Sequence, residues 1–98
     1  MRIVLVGFGV VSRSFAEIIR TQASDLSRDY GLRPRVVGIV DSKGAATSAD
    51  GIDIQTALRS KEATGTLDEL GPNIYAEGKG ALDVIREVDC EVVVEATP

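Results

Sequence analysis

Histidine is missing from this sequence altogether, and cysteine occurs once in 98 residues. A zinc site of the usual kind draws on several imidazole and thiolate ligands, so no metal-binding residues are assigned. Cys90 has no internal disulfide partner, which fits a reducing, cytoplasmic setting. Its apolar neighbours mark it as a small core residue rather than a reactive thiol. No apolar stretch approaches the ~20 residues of a membrane span, and the first apolar run is too short for a signal peptide. The 11 basic side chains are outnumbered by 15 acidic ones and form no stripe. Nucleic acid is therefore not an expected partner, because neutralising phosphates needs such a stripe. The length suits one domain, large enough to bury ~65% of its unfolded surface without cross-links.

The chain is organised around its first segment, Arg2 to Phe15. Ile3-Val4-Leu5-Val6 is an unbroken apolar run with the β-branched composition of a strand buried on both faces. It stops at Gly7-Phe8-Gly9, after which apolar residues take helical spacing: Val11, Phe15, Ile18, Ile19 and Leu26, with Gln22 the one polar member of that face. This predicts a strand, a tight turn and a helix from Val10 to about Asp29, with Arg13, Glu17, Arg20, Ser24 and Arg28 on the polar face. Gly31 can end the helix in the left-handed conformation, and Pro34 prevents its continuation.

The turn reads Gly-x-Gly-x-x-Ser, and each position has a physical task. Gly7 permits a sharp reversal, and Gly9 leaves room for a pyrophosphate to approach the main chain. Ser12 stands where a third glycine is common; it is small enough to let the helix lie close to the sheet. The free amides and positive dipole end of the helix then face the phosphates. A glycine turn alone can serve only to turn the chain, but here a strand precedes it and a long amphipathic helix follows.

A second strand, Arg35 to Asp41, is expected to lie parallel to the first, completing a βαβ unit. Asp41 falls at its carboxyl end, where an acid accepts hydrogen bonds from adenosine ribose hydroxyls in dinucleotide-binding units. Alternatively Asp41 caps a turn into Ser42-Lys43-Gly44. Lys43 would suit a 2′-phosphate, so the choice between NAD and NADP stays open. Ser42 to Asp53 reads as a loop and Ile54 to Thr64 as a helix with Asp53 at its N-cap and Leu58 as its clearest buried position. Lys61 reads as a solvated helix lysine. Leu67 and Leu70 suggest a helical turn, Gly71-Pro72-Asn73 a bend and Ile74-Tyr75-Ala76 a short strand. A helix near Ala81 to Val88 would turn Leu82, Val84, Ile85 and Val88 partly inward. Glu91 to Glu95 is the last strand, and Ala96-Thr97-Pro98 would leave the sheet beside the glycine loop. The fold class expected is α/β: a Rossmann-type parallel sheet with flanking helices over residues 1–98, truncated after its first mononucleotide half, the front of something longer.

Several of these segments together resemble the amino-terminal part of homoserine dehydrogenase, in the shorter form without an aspartate kinase domain. They are Val6 to Val11, Val40 to Ala45, Gly51 to Asp53, Lys61 to Gly65 and Val93 to Pro98, in that order. The resemblance implies interconversion of L-homoserine and L-aspartate 4-semialdehyde with NADPH or NADH, on the route to threonine and methionine, by a homodimer when full length. It implies that Gly7, Phe8, Gly9, Val10 and Val11 hold the pyrophosphate. Asp41, Ser42 and Lys43 would meet the adenosine ribose, with Lys61 a weaker candidate for a 2′-phosphate. Ala96, Thr97 and Pro98 would pass the nicotinamide side. The family's catalytic lysine and substrate carboxylates have no counterpart here, so this stretch is expected to bind coenzyme and turn over nothing. Competing readings are another amino-acid dehydrogenase, such as an aspartate dehydrogenase, a stand-alone nucleotide-binding module, or FAD or S-adenosylmethionine in the glycine turn.

Overall fold

The computed structural model describes residues 1–95, with Val11 described by its backbone alone. Ala96, Thr97 and Pro98, assigned to the nicotinamide side, lie outside the described residues. The element order is β1 (Arg2–Val6), α1 (Val10–Tyr30), β2 (Arg35–Val40), β3 (Gly44–Thr47), α2 (Ile54–Thr64), a single 3-10 turn (Asp68–Leu70), β4 (Tyr75–Glu77), α3 (Ala81–Glu87) and β5 (Val92–Glu95).

These strands form one sheet in the order β4-β3-β2-β1-β5. Its centre is parallel as expected, β1 lying between β2 and β5 with Leu5 beside both Ile39 and Val94. The chain therefore reverses its direction of travel across the sheet at β1, leaving the carboxyl ends of β1, β2 and β5 side by side. On the other flank the sheet is mixed: β3 runs antiparallel to β2 and β4 antiparallel to β3. β3 occupies residues expected to be loop. Its four residues are small, and all four are buried. Ala46 faces one core and Ala45 the other, so apolar alternation never shows in the sequence.

One core lies between the sheet and the pair α1 and α2; Ile3, Leu5, Phe8, Ile39 and Leu67 are at its centre. The smaller one lies under α3, from Val4, Val37, Val40, Ala45 and Val84, with Cys90 packed partly buried against it. Each fully buried Val, Leu or Ile side chain contributes about 1.5–3 kcal/mol. Gly38 sits where α3 crosses, a Cβ there falling 2.7 Å from a Val84 methyl, so glycine sets how closely α3 can lie.

Two helix faces differ from expectation. On α1 the inward residues are Ser12, Ala16 and Ile19, whereas Ile18 is 58% exposed. Small side chains at two of those positions let the helix settle against the sheet, with Ile19 buried and Phe15 packed against the core while Ile18 is left on the outward side. On α3 Val84 is buried, but Leu82 and Ile85 face outward, because only one stripe of this seven-residue helix meets the sheet. Likewise the buried residues of α2 are Ile54, Ala57 and Ser60, with Leu58 at the margin.

Polar contacts tie the sheet margins together. The Glu91 carboxylate accepts the backbone N–H of Arg2, and Glu87 pairs with Lys79 while accepting the Thr47 hydroxyl at 3.2 Å. The Arg2 N–H and then its guanidinium hold Glu91 below the ordinary carboxylate range; Lys79 does the same for Glu87. With native pKa values lowered, the unfolded chain binds more protons in acid, so the stabilisation is present above the unfolded value and lost as pH falls through the native one. Urea midpoints should therefore drop as pH is lowered from about 5 toward 3, around the ordinary Glu value of about 4.3. Replacing both Glu87 and Glu91 by Gln should flatten that slope.

Candidate functional site

The site forms where β1 and β2 end. Gly7 holds φ +89°, a left-handed value that side chains resist, and its N–H donates to Val40 O at 2.6 Å. That bond fastens the glycine turn to the end of β2. Gly9 caps α1 with extended backbone, φ −82° and ψ −162°, and no side chain caps the helix. A Cβ on Gly9 would meet nothing within 4 Å, so open space lies directly over the first turn. No acidic side chain lies in that turn. A 21-residue helix therefore presents unsatisfied amides and its positive dipole end to an open approach, an arrangement that favours phosphate.

Around this turn, Phe8 is 2% exposed and presents only its backbone to the site, while Val10 is 73% exposed. Ser12 is fully buried, as close helix–sheet packing requires, and its hydroxyl has no hydrogen-bond partner among the described residues.

Asp41 follows β2 immediately. Its Oδ1 accepts the N–H groups of Lys43 and Gly44 at 2.9 and 3.0 Å, and its own N–H donates to Gly44 O. The acid thus shapes the turn that joins β2 to β3, as the turn-capping alternative expects. Its Oδ2 accepts from Lys61 Nζ at 3.3 Å, with the Asp41 side chain 2% exposed and that of Lys61 21%. Lys61 is therefore not the solvated lysine expected; α2 carries it to the top of the sheet, where it also donates to Gly65 O. Ser42 and Lys43 are exposed on the turn.

The structure therefore brings the glycine turn, Asp41, Lys43 and Lys61 to one end of the sheet. Sequence reasoning placed Gly44 in a turn and Tyr75 in a short strand but gave neither a part in the site. The Tyr75 hydroxyl lies 2.8 Å from the position of a Cβ on Gly44, against the Asp41 turn. Burial, followed by the charge of Asp41, pushes the Tyr75 phenol up. Neither residue gives a local signal, since both acquire their place from the pairing of β3 with β4. Among the described residues no three His, Cys, Asp or Glu side chains gather as metal ligands, and no helix is long and apolar enough to cross a membrane.

No family model matches the chain. It is 39% identical over 100 residues to homoserine dehydrogenase of Methanocaldococcus jannaschii, covering all of this chain and 28% of that protein. It is 26% identical over 98 residues to the NAD(+)-dependent homoserine dehydrogenase of Pseudomonas canavaninivorans, covering 98% of this chain and 27% of that one. Among solved structures, a hyperthermophilic archaeal homoserine dehydrogenase in complex with NADPH superimposes with a TM-score of 0.78 at 29% identity, over 98% of this chain and 28% of the other. The chain thus spans about 28% of the relatives it matches, at their amino-terminal end. The family named by these relatives is the one the sequence resembles.

Proposed function

We propose that this chain is the coenzyme-binding part of a homoserine dehydrogenase and that it holds NADP(H) or NAD(H) across the carboxyl ends of β1, β2 and β5. One observation carries the reading: the uncapped start of α1, open above Gly9, is fastened through Gly7 to the strand end that bears Asp41. The α1 amides from Gly9 to Val11 would hold the pyrophosphate. Asp41, Ser42 and Lys43 would meet the adenosine ribose, with Lys61 beside them, and Ala96, Thr97 and Pro98 would pass the nicotinamide side.

When bound, the coenzyme supplies the hydride exchanged with the aldehyde carbon of L-aspartate 4-semialdehyde or the alcohol carbon of L-homoserine. The role of these residues is to bind and orient: rigid backbone donors fix the phosphates, which fixes the angle at which the nicotinamide leaves the sheet. Substrate binding and proton transfer fall to residues after this stretch, in a protein that acts as a homodimer in the cytoplasm and serves threonine and methionine synthesis.

Calorimetric titration with NADPH, NADH, FAD and S-adenosylmethionine tests the reading. Heat is expected with the nicotinamide coenzymes alone, and no homoserine-dependent reduction of either oxidised form. Binding only of FAD or S-adenosylmethionine would overturn the assignment, as would silence toward all four.

A further inference from the structure

Asp50 is an aspartate that the fold neither buries nor engages. Asp41, Asp53, Asp68 and Asp83 accept hydrogen bonds that shape turns and helix ends, and Asp25 and Asp29 pair with Arg28. Asp50 is exposed, and among the described residues its carboxylate makes no hydrogen bond or ion pair. Asp89 is likewise unpaired but precedes Cys90, whereas Asp50 is the one aspartate of the sequence followed by glycine. That order matters chemically. The amide nitrogen after an aspartate can attack the side-chain carboxyl and close a five-membered ring, and a Cβ on the following residue obstructs the approach. Gly51 has none.

The surroundings leave that nitrogen accessible while fixing the chain just beyond it. The Gly51 N–H donates to Ser48 O at 3.1 Å, closing a turn with Ala49 and Asp50 exposed at its crest. Opening that bond frees the nitrogen without unpacking a core side chain, the kind of local opening that costs little free energy. Past Gly51 the chain is anchored twice. The Ile52 N–H donates to Val36 O at 2.7 Å, with the Ile52 side chain buried, and Asp53 caps α2 by accepting the Thr56 N–H.

We propose that Asp50 is a modification site, at which the folded chain isomerises to isoaspartate through a succinimide with water as the only co-reactant. The Gly51 nitrogen forms a bond to Asp50 Cγ, while the amide hydrogen and the hydroxyl of the protonated carboxyl leave as water. A second water then opens the ring. Cleavage between the nitrogen and Cγ restores aspartate; cleavage between the nitrogen and the Asp50 main-chain carbonyl carbon leaves Gly51 joined through Cγ. The main chain is then one carbon longer immediately before Ile52. Because Ile52 and Asp53 are anchored, the added length should disturb the start of α2, the helix that carries Lys61 to Asp41.

The folded protein, kept warm at neutral pH, should accumulate isoaspartate in the tryptic peptide from Gly44 to Arg59, at Asp50 and not at Asp53 of the same peptide. Electron-transfer fragmentation distinguishes the two isomers, which have equal mass. Asp50→Glu, which would need a six-membered ring, should lose the signal while melting as the parent does. The isomerised fraction, once separated, should exchange its Ile52 and Thr56 amide hydrogens faster than the unmodified protein. Isoaspartate that forms only in a urea-unfolded sample would show that the turn protects Asp50, and would overturn the proposal. Isomerisation at Asp50 no faster than at Asp53 or Asp89, or a signal that survives Asp50→Glu, would overturn it as well.

Discussion

Gly9→Asp should make the fold slightly more stable and abolish coenzyme binding. The two effects have opposite signs because one residue serves two partners. As an N-cap, Gly9 leaves the first amides of α1 unsatisfied, and its backbone already has the extended geometry that a capping aspartate adopts. A carboxylate there would accept from those amides and interact favourably with the helix dipole, adding a few tenths to about 1 kcal/mol. Nothing within 4 Å obstructs the new Cβ, so no packing is lost. The same carboxylate would occupy the phosphate position with like charge. At an effective dielectric of about 20, unit charges about 4 Å apart repel by about 4 kcal/mol. Solvent at an open site reduces this, and the expected loss is at least about 100-fold in affinity. Urea melts and NADPH titration of one preparation read both quantities. Undiminished binding would mean that phosphate does not sit at the start of α1. A large fall in stability would mean that Gly9 is a packing residue.

Gly44→Ala should produce the largest loss of stability among alanine substitutions at Gly9, Gly38, Gly44 and Gly80. Gly44 opens β3 and pairs with Glu77 of β4. A Cβ there would run into the Ala76 carbonyl oxygen and lie 2.8 Å from both the Glu77 Cα and the Tyr75 hydroxyl. Two of these are backbone atoms, which cannot rotate away, so relief requires β4 to leave the sheet edge. Overpacking of this kind costs about 1–3 kcal/mol, and the upper end is expected because the obstacle is main chain. The damage should also reach the site, since the Gly44 N–H is one of two amides that hold Asp41 Oδ1. Gly80→Ala is the control, its Cβ meeting no atom closer than 3.9 Å at an ordinary negative φ. Denaturant midpoints for the two variants, with hydrogen exchange at Ala46 and Thr47, distinguish edge detachment from general weakening. A Gly44→Ala protein as stable as the Gly80→Ala one would show that β4 yields freely.

Where the signals are local, reading the sequence and reading the structure agree closely. The apolar run of β1, the glycine turn, the start of α1 and the stop at Gly31 (φ +68°) match in place and kind. So does α2, with Asp53 accepting the Thr56 N–H as its N-cap. These features depend on residues a few positions apart, and backbone chemistry alone settles them. The resemblance to homoserine dehydrogenase rests on the same local segments, and the relatives bear it out.

The disagreements share a cause of another kind. Ile18, Leu82 and Ile85 follow helical spacing yet face outward, because the side on which a helix packs is chosen by small residues such as Ser12 and Ala16 that allow the closest approach. Gly44 to Thr47 carries turn-like residues and is nevertheless a strand covered on both sides.

Composition and spacing along the chain were enough to establish a βαβ unit, a phosphate-ready helix start and an acid at the neighbouring strand end. Each follows from torsional preference, capping and apolar periodicity over short separations. Tertiary structure alone decided that β3 and β4 extend the sheet antiparallel, that Lys61 crosses 20 residues of chain to cover Asp41, and that Arg13 Nε is buried with no hydrogen-bond partner among the described residues. Those outcomes depend on which surfaces meet once the core closes, and contacts between segments far apart in sequence leave no periodic trace within either segment.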